Sequence, residues 1–205
     1  MIFAIWLLWG QQQSPQQYLL KRKNRFLTVL WINLAPQNMF RKRVVEKSLN
    51  ELSQRMMVKP ESVHSVACLV DLSIMADKEL DSYIKELFQI QKNRITTIYY
   101  APKQSKDLSL YRPQFNNRHL HWDGTLLHPM KKKILSKKYD LLFNFFWKDN
   151  LILQSISSQI KAGFRVGYFT TDHRLNDLML GEENKTAEQF FNTFNSFFSK
   201  INTDE

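Results

Sequence analysis

Residues 139–180 constrain the fold of this chain more than any other part of it. The stretch opens with Tyr-Asp and an apolar run, continues with an amphipathic segment and a second apolar run, and ends with Asn-Asp-Leu-Met-Leu. Apolar runs of strand length on either side of an amphipathic segment are typical of the strand–helix–strand unit of a parallel sheet. The stretch therefore predicts an α/β fold, although it contains no motif that predicts a reaction.

Two further apolar runs, at 63–72 and 95–101, predict additional strands. The first is almost uninterrupted over 66–70, as expected of a central strand that is buried on both faces. We predict a three-layer, Rossmann-like α/β domain with a mostly parallel sheet of about five strands, preceded by an N-terminal extension.

Finer features of the sequence also predict local structure. Helical spacing of apolar residues predicts helices over 40–57 and near the C-terminus, where a phenylalanine stripe is expected to dock onto the sheet. Proline and polar residues predict a loop over 103–117, and alternation predicts a short strand over 118–123. The remaining helix boundaries are predicted at Asp77 and Asn93, and at Asp149 and Ala162–Gly163.

The first 38 residues read as a separate N-terminal extension, followed by a single domain over 39–205. Their apolar runs, 2–9 and 26–35, are shorter than the roughly 20 residues that a membrane-spanning helix needs. A signal peptide would require basic residues before its apolar core, and none precedes the first run. Three interpretations remain open: a peripheral membrane anchor, an ordered extra segment, or a biological start at Met39, which we favour.

The net charge of +10 is concentrated near the N-terminus. Seven of the 29 basic residues lie within 1–43, where no acidic residue occurs, so 22 basic and 19 acidic residues remain in the body. A basic tail of this kind is suited to contact with an anionic membrane surface. The nearly balanced body gives no reason to expect a specific nucleic acid as a partner.

Polar residues follow the predicted strands at the edge where parallel α/β sheets bind ligands. We take them as candidate ligand-binding residues, although the same residue types also cap helices and form turns. An acid–base pair of Asp71 with His173 is a further, weaker hypothesis. The candidates are Asp71, Ser73, Trp122, Asp123, Asn144, Lys148, Thr170 and Thr171.

The sequence gives little reason to expect a metal ion or a cofactor. On a strand, His119 and His121 would face the same side and could share an ion with Asp123 or His128 as a third ligand. The spacing matches no defined motif, so we predict no metal site. Glycine is scarce, at five residues, which argues against a phosphate-binding loop, and we predict no cofactor.

Three segments together carry a resemblance to known proteins: Tyr139-Asp140-Leu141-Leu142, the segment 160–167, and Asn176-Asp177-Leu178-Met179-Leu180. With the basic helix near residue 40 and a Trp-x-Gly element at 122–124, they resemble a family of small bacterial α/β proteins of unknown function. The first two segments are also similar to the N-terminal, acceptor-side half of heptosyltransferase-type glycosyltransferases. That likeness implies only half of an active site.

These observations predict a cytoplasmic α/β protein, and the single Cys68 fits a reducing compartment. We predict that it is non-catalytic and binds a protein partner or a small ligand at the carboxyl ends of its strands. Whether it is an enzyme stays open. The alternatives are a degenerate or half-site glycosyltransferase-like or nucleotide-handling enzyme, and a membrane-peripheral adaptor that uses residues 1–43.

Overall fold

Six strands form one sheet, and every neighbouring pair in it is parallel. The structure is a computed structural model that describes residues 39–75, 80–102, 114–121, 123–129, 131–181 and 186–200. The strands are β1 (Val66–Asp71), β2 (Ile95–Tyr100), β3 (Gln114–Phe115), β4 (Lys138–Phe145), β5 (Lys161–Tyr168) and β6 (Leu178–Leu180).

Helices cover the sheet on both faces. They are α1 (39–53), α2 (Leu80–Phe88), α3 (Lys131–Leu135), α4 (Leu151–Gln159) and α5 (Ala187–Phe198). Short 3₁₀ turns occur at Lys92–Arg94, Asn117–His119 and His173–Leu175. Within the described residues, none of the helices combines the length and the apolar character that crossing a bilayer requires.

The strand order is β3-β2-β1-β4-β5-β6, so the chain moves outward in one direction from β1 and in the other from β4. This order and the parallel pairing confirm the predicted Rossmann-like α/β fold. The prediction of about five strands missed β3, which lies in the stretch that we expected to be a loop. Only Tyr99↔Gln114 and Tyr100↔Phe115 pair there, which is too short a strand for alternation to reveal.

Burial on both faces explains why the central strands read as continuous apolar runs. All six residues of β1 are buried. On one face they pack against α1, α3 and α4, through residues such as Leu49, Ile134 and Leu153. On the other face α2 and α5 cover the sheet, and Phe190, Phe191 and Phe194 are buried there. The predicted docking of the phenylalanine stripe is therefore confirmed.

The boundaries of α4 differ from the prediction at both ends. Asn150, rather than Asp149, caps the helix, because its Oδ1 accepts hydrogen bonds from the backbone N–H groups of Ile152 and Leu153. Ala162 and Gly163 do not end the helix but lie in β5. No glycine is needed at this terminus, since the buried side chain of Arg165 donates to the last carbonyl groups.

Two other local predictions were wrong. Residues 118–123 do not form a strand: a 3₁₀ turn capped by Asn116 precedes an isolated antiparallel bridge between Leu120 and Leu126. The α2 helix ends at Phe88 rather than Asn93, because Gln89 adopts a left-handed conformation with φ of 52°. The predicted N-cap at residue 77 lies outside the described residues.

Gly124 allows α1 to approach the loop that follows β3. Its φ is +78°, and a Cβ added there would lie 2.4 Å from Cγ1 of Val44 in α1. Any larger residue therefore combines a strained backbone conformation with a steric clash.

We expect Gly124→Ala to lower the free energy of unfolding by about 2–4 kcal/mol, from backbone strain and overpacking together. Chemical denaturation followed by circular dichroism measures this loss. The double variant Val44→Ala/Gly124→Ala should lose less stability than the sum of the two single losses, because alanine at position 44 removes the clash. A single-variant loss below about 0.5 kcal/mol would contradict the close approach.

Candidate functional site at the carboxyl edge

The switch point of the sheet lies between β1 and β4. Their carboxyl ends are neighbours, since Val70 pairs with Phe145. The segments that follow them lead to opposite sides of the sheet, an arrangement that opens a crevice in folds of this class. Asp71 ends β1 at this point, and Lys148 follows β4 shortly after its last residue.

Asp71 and Ser73 form a tight turn at the end of β1. Oδ1 of Asp71 accepts hydrogen bonds from the backbone N–H of Ser73 at 2.9 Å and from its hydroxyl at 2.7 Å. Ile74, in the same turn, packs against buried residues of both helical layers and thus lies across the end of the sheet. The turn keeps Asp71 buried and engages it locally, and the structure records no hydrogen bond between Asp71 and His173.

Asn144 does not lie on the rim as predicted. It is fully buried, and its side chain is directed into the layer between the sheet and α4. Its Nδ2 donates to Oδ1 of Asn176 at 2.7 Å, and its Oδ1 accepts from the hydroxyl of Ser157 in α4 at 3.0 Å. A buried amide must be paired in this way, because an unsatisfied one costs about 1–3 kcal/mol.

Thr171 belongs to the same group of hydrogen bonds. Its hydroxyl accepts from Nδ2 of Asn176 at 3.1 Å and donates to the carbonyl of Tyr168 at 2.7 Å. Gly167 leaves the space that this arrangement needs, since a Cβ there would lie 2.5 Å from Asn176. We call Asn144, Ser157, Thr171 and Asn176 the amide network.

Arg165 extends the amide network to the C-terminus of α4. The side chain is fully buried, and its guanidinium donates to the carbonyls of Ser157, at 2.9 Å, and of Ile160. A cation at this end of a helix satisfies the last carbonyls and the helix dipole. Burial lowers the pKa of Arg165 to about 9, and the charge of Arg55 acts in the same direction.

Other side chains at the carboxyl edge remain accessible. Lys148 is exposed, and Phe169, at the end of β5, exposes 64% of its surface. Trp147 is half-buried, with its ring packed edge-on against Tyr168 at 5.4 Å between centroids. Thr170 is half-buried, and its Oγ1 is buried without a hydrogen-bond partner among the described residues.

The two remaining candidates lie away from the switch point or cannot be described. Trp122 is outside the described residues. Asp123 is engaged within its own loop, where it accepts from the backbone N–H of Thr125 at 2.9 Å and contacts His121 at 3.0 Å. The hydrogen bonds from Thr125, and to a smaller extent from His121, lower the pKa of Asp123 to about 2.

His119 and His121, the two metal-ligand candidates, make different contacts, because residues 118–123 do not form the predicted strand. His121 contacts Asp123, whereas the ring of His119 packs against His128 with centroids 4.7 Å apart. Nδ1 of His119 accepts the backbone N–H of Asn116 at 3.0 Å. In the part of the chain that the structure describes, no three His, Cys, Asp or Glu side chains are grouped to hold a metal ion.

Sequence reasoning grouped His119 with His128 as possible metal ligands but did not predict that their rings pack against each other. The two residues are joined by a loop that folds back through the Leu120–Leu126 bridge, and Phe115 packs against both rings. Only the tertiary structure brings them together, so no periodic signal marks the pair.

Comparison with known protein families gives a match over most of the chain. A family model described as a family of unknown function (DUF6913) matches residues 37–201, most of the chain. The chain belongs to this family. Neither the curated proteins nor the solved structures contain a match. The resemblance to a domain of unknown function is therefore confirmed, whereas the likeness to heptosyltransferases stays a prediction.

The histidine pair makes stability depend on pH. Burial lowers the pKa of both imidazoles from 6.5, and the neighbouring His119 lowers that of His128 further. The unfolded chain thus binds more protons below pH 6.5, and stability present above that pH is lost as the pH falls.

We expect NMR titration of the ring protons to give pKa values below 6.5 for His119 and His128. We also expect the melting temperature to fall between pH 7 and pH 5, with a smaller fall in His128→Gln. His173→Gln, at an exposed histidine, is the control and should retain the full fall. Values at or above 6.5 for both imidazoles would contradict the packing of the pair.

Proposed function

We propose that this protein is a non-catalytic binding protein, and that the carboxyl edge of its sheet binds a protein partner. The observation that carries the proposal is the exposure of Phe169. This residue is 64% exposed directly after β5, whereas Phe164 and Tyr168 in the strand are buried. An exposed aromatic ring at the edge where this fold class binds its ligands is suited to anchoring a partner.

The engagement of the polar side chains supports a non-catalytic role. Asn144 and Thr171 are buried in the amide network, and Asp71 is held by Ser73. A catalytic acid, base or nucleophile must reach a substrate. These three candidates instead stabilise the fold. Burial raises the pKa of the Cys68 thiol in β1, which likewise argues against a reactive role.

Lys148 suggests the charge of the partner. β4 and β5 are neighbours up to the Asn144↔Gly167 pair, so the segments that carry Lys148 and Phe169 leave the sheet side by side. A partner segment with an apolar anchor and a nearby acidic residue would match both side chains. We accordingly propose a partner with such a segment, in the cytoplasm.

Site-specific photo-crosslinking in cells that express the chain naturally tests this proposal. A photoreactive amino acid at position 169 should give a discrete adduct with one protein, which mass spectrometry identifies, and Lys148→Glu should weaken its formation. The control is the same amino acid at position 127, because Leu127 is a similarly exposed apolar residue in a different loop. Equal, diffuse adducts from both positions would overturn the proposal.

A small polar ligand at the switch point is the second candidate. It is favoured by the position of Asp71 next to β4, with Lys148 after that strand. A thermal-shift screen with nucleotides and sugar nucleotides separates the candidates, because a ligand that binds the folded state raises the melting temperature. We expect no shift. A shift that is lost in Lys148→Ala would favour the small ligand, and one with sugar nucleotides would favour the glycosyltransferase-like alternative.

A further inference from the structure

The amino edge of the sheet, opposite the proposed partner site, carries an unusual pair of lysines. Lys138 begins β4 and Lys161 begins β5, and the register makes them direct neighbours. Both side chains are exposed. Like charges placed opposite each other on neighbouring strands destabilise a sheet. Packing alone therefore gives no reason for this pair.

Further cations lie along the same edge. Lys137 directly precedes β4, and Lys92 and Arg94 form the turn that precedes β2. Since β2, β1, β4 and β5 are consecutive in the sheet, these residues line an edge about 15 Å long, at roughly 4.8 Å per strand. All three are exposed. The nearly balanced charge of the body is thus unevenly distributed in space.

Acidic residues offset only part of this charge, because two carboxylates, Asp140 and Glu61, oppose five lysine and arginine residues. Asp140 is the carboxylate closest in sequence to the lysine pair, and its Oδ2 already accepts from the backbone N–H groups of His64 and Ser65, each at 2.8 Å. Glu61 is exposed in the loop that precedes β1. The described part of the edge therefore keeps a marked excess of positive charge.

Three consecutive apolar residues lie next to the lysine pair. Met56, Met57 and Val58 follow α1 and expose 87%, 55% and 60% of their surfaces. The backbone N–H of Val58 donates to the carbonyl of Gly163 at 3.4 Å. Gly163 is two residues beyond Lys161 in β5, so this contact holds the apolar residues beside the lysines.

The end of α5 adds a fourth exposed apolar side chain. Nζ of Lys59 donates to the carbonyl of Phe198 at 2.6 Å and lies 4.4 Å from the centre of its ring. These contacts attach the end of α5 to the segment that carries Val58. The neighbouring Phe197 is 49% exposed. We call Met56, Met57, Val58, Phe197, Lys138 and Lys161 the amino-edge surface.

We propose that the amino-edge surface binds an anionic membrane surface peripherally. The lysines would contact anionic headgroups, and the four apolar side chains would enter the boundary between headgroups and acyl chains. A nucleic acid would also attract the lysines, but it offers no apolar layer for Met56 and Met57. A lipid surface matches both properties, and this inference is independent of the partner proposed for the opposite edge.

Vesicle flotation with the full chain tests the charged half of the surface. We expect binding to vesicles that contain phosphatidylserine and little binding to pure phosphatidylcholine. Lys138→Gln/Lys161→Gln should weaken binding roughly 25-fold, since each lysine near an anionic surface contributes about a factor of five. The matched control, Lys47→Gln/Arg118→Gln, removes the same charge from exposed positions elsewhere and should bind as the unmodified chain does.

Met56→Gln/Met57→Gln tests the apolar half. Both side chains are exposed, so the substitution should leave the circular dichroism spectrum unchanged while weakening flotation, most clearly at high salt, where electrostatic attraction is screened.

Three results would overturn the proposal. The first is undiminished flotation of the lysine variant, which would assign binding to another part of the chain, such as residues 1–43. The second is equal binding to both kinds of vesicle. The third is unchanged flotation of the methionine variant together with full competition by single-stranded DNA, which would indicate a general polyanion-binding surface.

Discussion

Burying a parallel sheet on both faces makes it costly for a polar side chain inside it to lack a hydrogen-bond partner. In this fold Asn144 of β4 meets that constraint by bonding to Ser157 of α4 and to Asn176, which precedes β6. The bonds connect a central strand, its covering helix and the connection to the edge strand. Arg165 extends the connection to the last carbonyls of α4. The positions of α4 and of the β5–β6 connection depend on this group of contacts.

The same constraint leaves the accessible polar and aromatic side chains at the edges of the sheet. Three of the predicted rim residues, Asp71, Asn144 and Thr171, are engaged within the protein, and other polar and aromatic side chains are accessible at the two ends of the strands. At the carboxyl end, Phe169 and Lys148 are exposed, and they follow the neighbouring strands β5 and β4. At the amino end, Lys138 and Lys161 lie beside the exposed Met56 and Met57. The two edges thus differ in composition.

The architecture could be predicted from sequence because it depends on local hydrophobic pattern. Runs such as 66–70 are continuous since both faces of the strand are covered, and helical spacing marks the apolar face of α5. The two-residue strand β3 carries too few residues to produce a pattern. The C-terminal boundary of α4 was misjudged because Arg165, in the strand that follows, satisfies the last carbonyls of the helix in place of the expected glycine.

The candidate site was less predictable because its geometry is tertiary. Sequence identified Asn144 and Thr171 as polar residues near strand ends, but not that Asn176 would bond to both. It grouped His119, His121 and His128 as possible metal ligands, but it did not show that folding of the loop packs His119 directly against His128. The charged amino edge was also hidden, since Lys138 and Lys161 become neighbours only through the register of β4 and β5.

A double-mutant cycle on Asn144 and Asn176 tests most directly whether these side chains serve the fold. Each alanine substitution alone should lower the free energy of unfolding by about 1–3 kcal/mol, because it leaves the other amide buried and unsatisfied. The double variant should cost less than the sum of the two single losses, by a coupling energy of about 1 kcal/mol or more. Losses that add to within about 0.5 kcal/mol would contradict the account.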